Sequence, residues 1–229
     1  MTRGWLSPWA IFDPATGLYK WEAEDSTPKW TFPNRNGYAI FGSSSDHKVK
    51  VCDAFMFVRA ALATYIRAAE DLSAAVPLTF TIDAQPDVPR TITWAFTSHV
   101  NITAFSITFT GVNARGEVVT ETITQASGWT GETHNAFATI TSIIMTARTG
   151  TGVGDTMNVG IGSKLGLSNP LPATADVYKC SKVLAAGLAT DYSGAGNLTP
   201  DATYSVVDVS TGAAIVDADC YTILYKSYL

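Results

Sequence analysis

Thr91-Ile-Thr-Trp-Ala-Phe-Thr97 puts Ile92, Trp94 and Phe96 on one face of an extended chain and its threonines on the other. A period of two with large apolar groups on one side is the mark of an antiparallel strand packed on a core by one face only. The pattern repeats on both sides of this stretch. From Asn101 to Thr110 it runs through Phe105, Ile107 and Phe109, and Asn113-Ala-Arg-Gly116 then turns the chain into Glu117-Val-Val-Thr-Glu-Thr-Ile-Thr124. Gly116 suits the left-handed position that closes a three- or four-residue hairpin. Upstream, Leu78-Thr-Phe-Thr-Ile82 reads as a strand, and the prolines of Pro86-Asp-Val-Pro-Arg90 predict an extended link without ladder hydrogen bonds.

Downstream, Phe137 to Ala147 sets Thr139, Thr141, Ile143 and Met145 against Ile140 and Ile144, and Thr156 to Ile161 carries Met157 and Val159. Val177–Val183, Tyr204–Val209 and Tyr221–Tyr225 alternate likewise, and Ser210-Thr-Gly212 predicts a hairpin turn into Ala213–Val216. Short strands separated by turn signals describe a sandwich or barrel. The fold class expected is all-β, an antiparallel β-sandwich of Ig-like or jelly-roll-like type, with an extended aromatic N-terminal arm. Val49, Val51, Phe55 and Phe57 alternate as a strand up to about Val58. Val58, Leu62, Ile66 and Ala69 fall at helical spacing opposite Arg59, Arg67 and Glu70, so 59–72 reads as a short helix or an irregular crossing. Asn36-Gly37, between Trp30–Phe32 and Tyr38–Phe41, predicts a small hairpin. The expected domains are 1–46, arm and hairpin, and 47–229, the sandwich body.

The chain of 229 residues has 15 Lys+Arg and 20 Asp+Glu, a formal charge of −5. Hydrophobic residues make up 46% and charged residues 15%, against about 25% charged in ordinary soluble domains, so the chain has the means to bury a core and is not of the disordered class. No Lys/Arg-rich run offsets the negative charge, which argues against a nucleic-acid partner. The start lacks the apolar core of a secretory signal, and Arg59 and Arg67 interrupt the most apolar stretch, Ala54–Ala69. No export signal and no membrane segment are therefore expected, and synthesis and folding are placed in a cytoplasm. Cys52, Cys180 and Cys220 show no metal-ligand spacing and are expected as buried free thiols, Cys180–Cys220 being the one pair to entertain as a disulfide.

Chemistry-bearing residues are sparse. His47, His99 and His134 stand in separate turn-like settings outside any nucleophile or metalloprotease motif and read as exposed loop residues. Glu117 and Glu121 share a strand face with Val119 and Ile123, so either the edge bends or Glu121 pairs with a cation such as Arg115; a glycosidase carboxylate pair is the enzymatic alternative. Gly150-Thr-Gly-Val-Gly-Asp155 lacks the Lys-Ser/Thr of a phosphate loop and reads as a flexible turn, and Asp208, Asp217 and Asp219 as a solvated acidic turn. No cofactor, metal site or catalytic residue is expected.

Taken in order, Pro86-Asp-Val-Pro-Arg90, Thr110-Gly-Val-Asn-Ala-Arg-Gly-Glu-Val-Val-Thr-Glu-Thr-Ile123, Asn135-Ala-Phe-Ala-Thr-Ile-Thr-Ser-Ile143, Gly154-Asp-Thr-Met-Asn-Val-Gly-Ile-Gly162 and Lys164-Leu-Gly-Leu167 form a pattern. It resembles a β-sandwich protein of tailed-bacteriophage virions, of the head decoration (cement) or head-fibre type. The resemblance covers about Val76 to Pro172, and Tyr221-Thr-Ile-Leu-Tyr-Lys226 is similar to the family's closing strands; residues 1–50 lie outside it. It implies a non-enzymatic structural protein on the capsid exterior, a virion location, the major capsid protein as partner, and self-association, as a trimer. The alternative is a tail or head-fibre module that binds host-surface glycan. In residues 1–29, Trp5, Trp9, Phe12, Tyr19 and Trp21 lie among prolines without a helix or strand period. Rings of this size need a surface to cover them, which makes these five residues the candidate capsid or subunit interface.

Overall fold

The alternation becomes backbone pairing through the body of the chain. A computed structural model describes residues 10–13, 18–21, 29–30, 48–126, 128–183, 189–191, 197–211 and 213–228. In chain order the first strands are β1 (Ala10–Asp13), β2 (Leu18–Trp21), β3 (Lys29–Trp30), β4 (Lys48–Val58), β5 (Leu62–Asp71) and β6 (Leu78–Thr79). There follow β7 (Arg90–Ser98), β8 (Ala104–Val112), β9 (Val118–Gln125), β10 (Thr130–Phe137), β11 (Thr139–Thr149) and β12 (Thr156–Gly166). A short 3-10 turn at Thr174–Asp176 leads to β13 (Val177–Val183), β14 (Ala189–Asp191), β15 (Thr199–Asp201), β16 (Val206–Asp208) and β17 (Asp219–Tyr228). The fold is all-β and sandwich-like, built from antiparallel sheets.

One hydrophobic core lies between two sheets. The first runs β10-β7-β12, with β5 along the opening half of β12 and β16-β15 along its closing half; the second runs β6-β11-β8-β9. Ile92, Trp94 and Phe96 of β7 face Phe105, Ile107 and Phe109 of β8, all buried, and Trp94 meets Phe105 edge-on with centroids 5.2 Å apart. Such pairs add about 1 kcal/mol beyond the area they bury. The opposite faces of β8 and β9 carry paired hydroxyls: Ser106 with Thr124 at 2.6 Å and Thr108 with Thr122 at 2.8 Å. Gly116 has φ +80, the left-handed turn position its sequence predicted. On β11 a register shift between Ile140 and Ser142 reverses the alternation, so Ile140 and Ile143 both point inward despite their odd spacing.

A second core lies under the sheet β14-β13-β17-β4. Val51, Phe55 and Val58 of β4 and Tyr221, Ile223 and Tyr225 of β17 pack there with Leu165, Leu167, Leu171, Val207, Val209 and Ile215. Strand β12 serves both cores: Met157, Val159 and Ile161 fill the first and Leu165 the second.

Residues 59–72 are neither helix nor irregular, for Leu62–Asp71 is a strand paired with β12. The helical spacing does not mark one buried face, for Ile66 is buried while Leu62 and Ala69 are exposed; the register with β12 shifts twice, and β5 passes so close to Gly160 that a Cβ there would lie 2.0 Å from the Leu62 carbonyl oxygen. The strand read at 78–82 is paired only at Leu78–Thr79, and Ala213–Val216 forms no strand. In the arm, β1, β2 and β3 form a three-stranded antiparallel sheet that the lack of periodicity did not predict. The Asn36-Gly37 hairpin turn and the Tyr38–Phe41 strand lie outside the described residues. Of the cysteines only Cys180 is buried; Cys52 is exposed on the outer side of β4, and all three are free, so Cys180 and Cys220 are not bonded.

Candidate functional site

The polar chemistry gathers at a break in β10. Between Glu132 and Ala136 the pairing of β10 with β7 slips, and the Thr133 hydroxyl fills the gap, accepting from the Ile92 amide at 2.9 Å and donating to the Asn135 carbonyl at 2.8 Å. The amides of His134 and Asn135 are thereby released toward β9. Glu121 takes both: its carboxylate accepts from the His134 amide at 2.8 Å and the Asn135 amide at 2.9 Å, and from the Asn135 side chain at 2.9 Å. His134 Nδ1 lies 2.9 Å from the same carboxylate, and its ring stacks on Tyr204 with centroids 4.9 Å apart. Burial works to raise the Glu121 carboxyl, but the hydrogen bonds from His134 and Asn135 outweigh it and hold the group below its ordinary range. Arg115, the cation expected to pair with Glu121, bonds Glu117 instead, at 2.7 Å. His134 thus belongs to a strand and a hydrogen-bonded cluster rather than to a free loop.

At one end of the first core the Gly-rich turn is pinned rather than flexible. The Asp155 side chain is fully buried and accepts from three successive amides, Val100 at 2.6 Å, Asn101 at 2.9 Å and Ile102 at 2.7 Å. Asn101 Nδ2 donates in return to the Val153 carbonyl at 2.6 Å. The two turns so joined hold Val100, 81% exposed, and Val153 out in solvent. Beside them His99 lies flat on Trp129, with rings 4.3 Å apart and 7° from parallel, and Trp129 in turn meets Phe96. Apolar side chains fixed on a hydrogen-bonded backbone form a contact surface with little entropy left to lose.

A second exposed apolar group sits where β4 ends. Alternation put Phe57 on the same inward face as Val51 and Phe55, but Phe57 adopts φ +55 and its ring turns outward, 68% exposed. Met56, Leu62 and Val216 are exposed with it. The Phe57 amide donates to Cys220 Sγ at 3.4 Å and the Ala60 amide to the Asp217 carboxylate at 2.8 Å, so the 216–220 turn is tied to the end of β4. A left-handed non-glycine residue costs about 1 kcal/mol or more, a strain that tends to mark functional positions.

The acidic turn is not solvated throughout. Asp219 is buried and ion-paired with Lys182 at 2.9 Å, while Asp208 accepts from the Ser210 amide at 2.9 Å. Among the described residues no group of three or more His, Cys, Asp or Glu side chains is placed to hold a metal ion, and no helix is long and apolar enough to cross a membrane. Of the candidate interface residues, Trp5 and Trp9 lie outside the described residues, as does His47. Phe12 is opposite Tyr19 in the β1–β2 pairing, and Trp21 is opposite Ala10. Neither Val100 nor Phe57 stood out in the sequence, because one looks like an ordinary loop residue and the other like a core residue. No protein-family model matches the chain, and comparison with curated proteins and with solved structures finds no match either.

Proposed function

We propose that this chain is a non-enzymatic structural protein of a tailed-phage virion, a decoration or cement protein that binds the outer face of the capsid and stabilises the shell. The observation that carries this reading is the pinned tip: Val100 and Val153 stand exposed on turns that a buried Asp155 holds rigid. A protein that must dock repeatedly on a lattice gains from contact groups already fixed in place. The ordered segments behind the resemblance also support it. They fall on the link before β7, the β8–β9 hairpin, β10 into β11, and β12, which are structural parts of the sandwich. The partners under this reading are the major capsid protein and further copies of the chain, with the aromatic arm as a second anchor.

The experiment is binding to purified capsids stripped of the protein, read by co-sedimentation. Parent protein is expected to saturate the shell at hundreds of copies per particle. Val100→Asp with Val153→Asp, and separately deletion of residues 1–29, are expected to leave a folded body that sediments poorly with capsids. A handful of copies per particle, or undiminished binding by both variants, would overturn the decoration reading.

A further inference from the structure

The surface around Phe57 suits a second copy of the same chain. Met56, Phe57, Leu62 and Val216 are exposed apolar residues on segments that the Phe57–Cys220 and Ala60–Asp217 bonds hold together. The rim of this surface carries one charge of each sign. Arg59 is exposed; its amide donates to the Asp87 carboxylate at 2.7 Å, while its guanidinium lies over the Tyr65 ring at 5.5 Å and forms no ion pair among the described residues. Asp217 is exposed too; one carboxylate oxygen takes the Ala60 amide at 2.8 Å, and the group meets no cation among the described residues. Phenylalanine, methionine, tyrosine and arginine are the residue types enriched at the centre of protein interfaces.

We infer that two copies of this chain associate through this surface about a two-fold axis, Phe57 against Phe57, with Arg59 of each facing Asp217 of the other. An isologous contact sets a patch against itself and therefore requires a patch complementary to itself. An apolar centre bordered by one cation and one anion meets that requirement. A partner of a single charge sign, or this chain's own acidic remainder, would leave Arg59 or Asp217 facing a like charge. A three-fold contact would instead set the patch against a different surface of the neighbour. Four apolar side chains and their rim fall short of the roughly 800 Å² per partner that a stable complex buries. The dimer is accordingly reversible, populated at high micromolar concentration and favoured wherever copies are crowded on a surface. The inference does not depend on the virion reading.

The test is sedimentation equilibrium of the full chain from about 10 μM to 1 mM, paired with methyl NMR. The methionines besides Met1 give a built-in control, because Met145 and Met157 are fully buried in the first core and Met56 is exposed at the patch. Dimer mass should appear with concentration while the Met56 methyl shifts and those of Met145 and Met157 stay in place. Arg59→Asp and Asp217→Arg should each weaken association about tenfold or more, and the double exchange should restore it, which a merely structural role for either residue would not produce. Phe57→Gly relieves the left-handed strain and removes the ring, so it should melt no lower than the parent and yet remain monomeric. A monomer at 1 mM, a trimer, no rescue by the double exchange, or a Met56 methyl that does not move with concentration would overturn the inference.

Discussion

Arg90 Nε donates to the Gly162 carbonyl at 2.8 Å, at the point where β12 passes from one core to the other. The guanidinium is wholly buried; Nη2 also donates to the Gly162 carbonyl, and Nη1 reaches the Arg59 carbonyl at 3.0 Å and the Asp87 carboxylate at 3.0 Å. One side chain therefore joins β7, β12 and the chain between β4 and β5, with its charge compensated by Asp87. Replacing Arg90 with Met should cost about 3–5 kcal/mol, since it strands a buried carbonyl and carboxylate. Lysine should recover little, as one ammonium cannot reproduce the planar fork. Urea denaturation followed by both tryptophan emission and far-ultraviolet dichroism is the measurement. The parent should unfold in one transition by both probes, because the cores share a strand.

Asp155→Asn should lower stability by about 3 kcal/mol, for an amide cannot accept from three backbone donors as the carboxylate does. Hydrogen exchange would locate the loss. The amides of Val100, Asn101 and Ile102, which Asp155 accepts, should become the fastest-gaining sites in the variant, while those of β8 remain slow.

Glu121 makes stability depend on acid. Its carboxyl is held below the ordinary value of 4.5 in the folded chain, so the stabilisation is full above that pH and is lost as pH falls through the folded value. Glu121→Gln should therefore be less stable than the parent at pH 7, and the gap should narrow steadily below about pH 4.5. Urea midpoints at half-unit steps from pH 3 to 7 would show it; a gap constant with pH would count against the carboxylate's role.

The thiols should react in a set order with an aromatic disulfide reagent. Cys52 is exposed and should react first, yet partial burial and the neighbouring Asp53 raise its pKa, so its rate at pH 7 should trail that of a free peptide thiol and climb with pH. Cys220 should follow. Burial first, then the charge of Asp191, push the Cys180 thiol up to about 12, and it should react only after denaturant is added.

Much of this architecture is written in alternation. Ile92, Trp94, Phe96, Phe105, Ile107 and Phe109 announce their strands because a half-buried strand sorts its side chains by face. Strand β10 went unread because its inward position Thr133 is polar and buried only by bonding to Ile92 and Asn135, a partnership no local pattern displays. Strand β5 mimicked a helix because Leu62 and Ala69, apolar but exposed, fall in step with the buried Ile66. The contact surfaces were hidden for a related reason: Phe57 obeys the inward alternation until one dihedral turns it out, and the rigidity of Val100 comes from an aspartate 55 residues away. Chemistry that depends on bonds between distant segments leaves little trace in a single stretch of sequence.

Strand β9 is the end of its sheet, pairing among the described residues with β8 alone. A sheet end is an open template, and its free amides invite a stray chain to add on and grow a fibril. Glu121 stands midway along that end and binds it to the amides of His134 and Asn135, so the approach is blocked by the molecule's own β10. The block is made of charge, and acid dissolves it. Preparations kept near neutral pH should stay clear at high concentration, whereas those acidified far enough below the ordinary carboxylate range to protonate Glu121 should slowly bind thioflavin, growing from β9 outward.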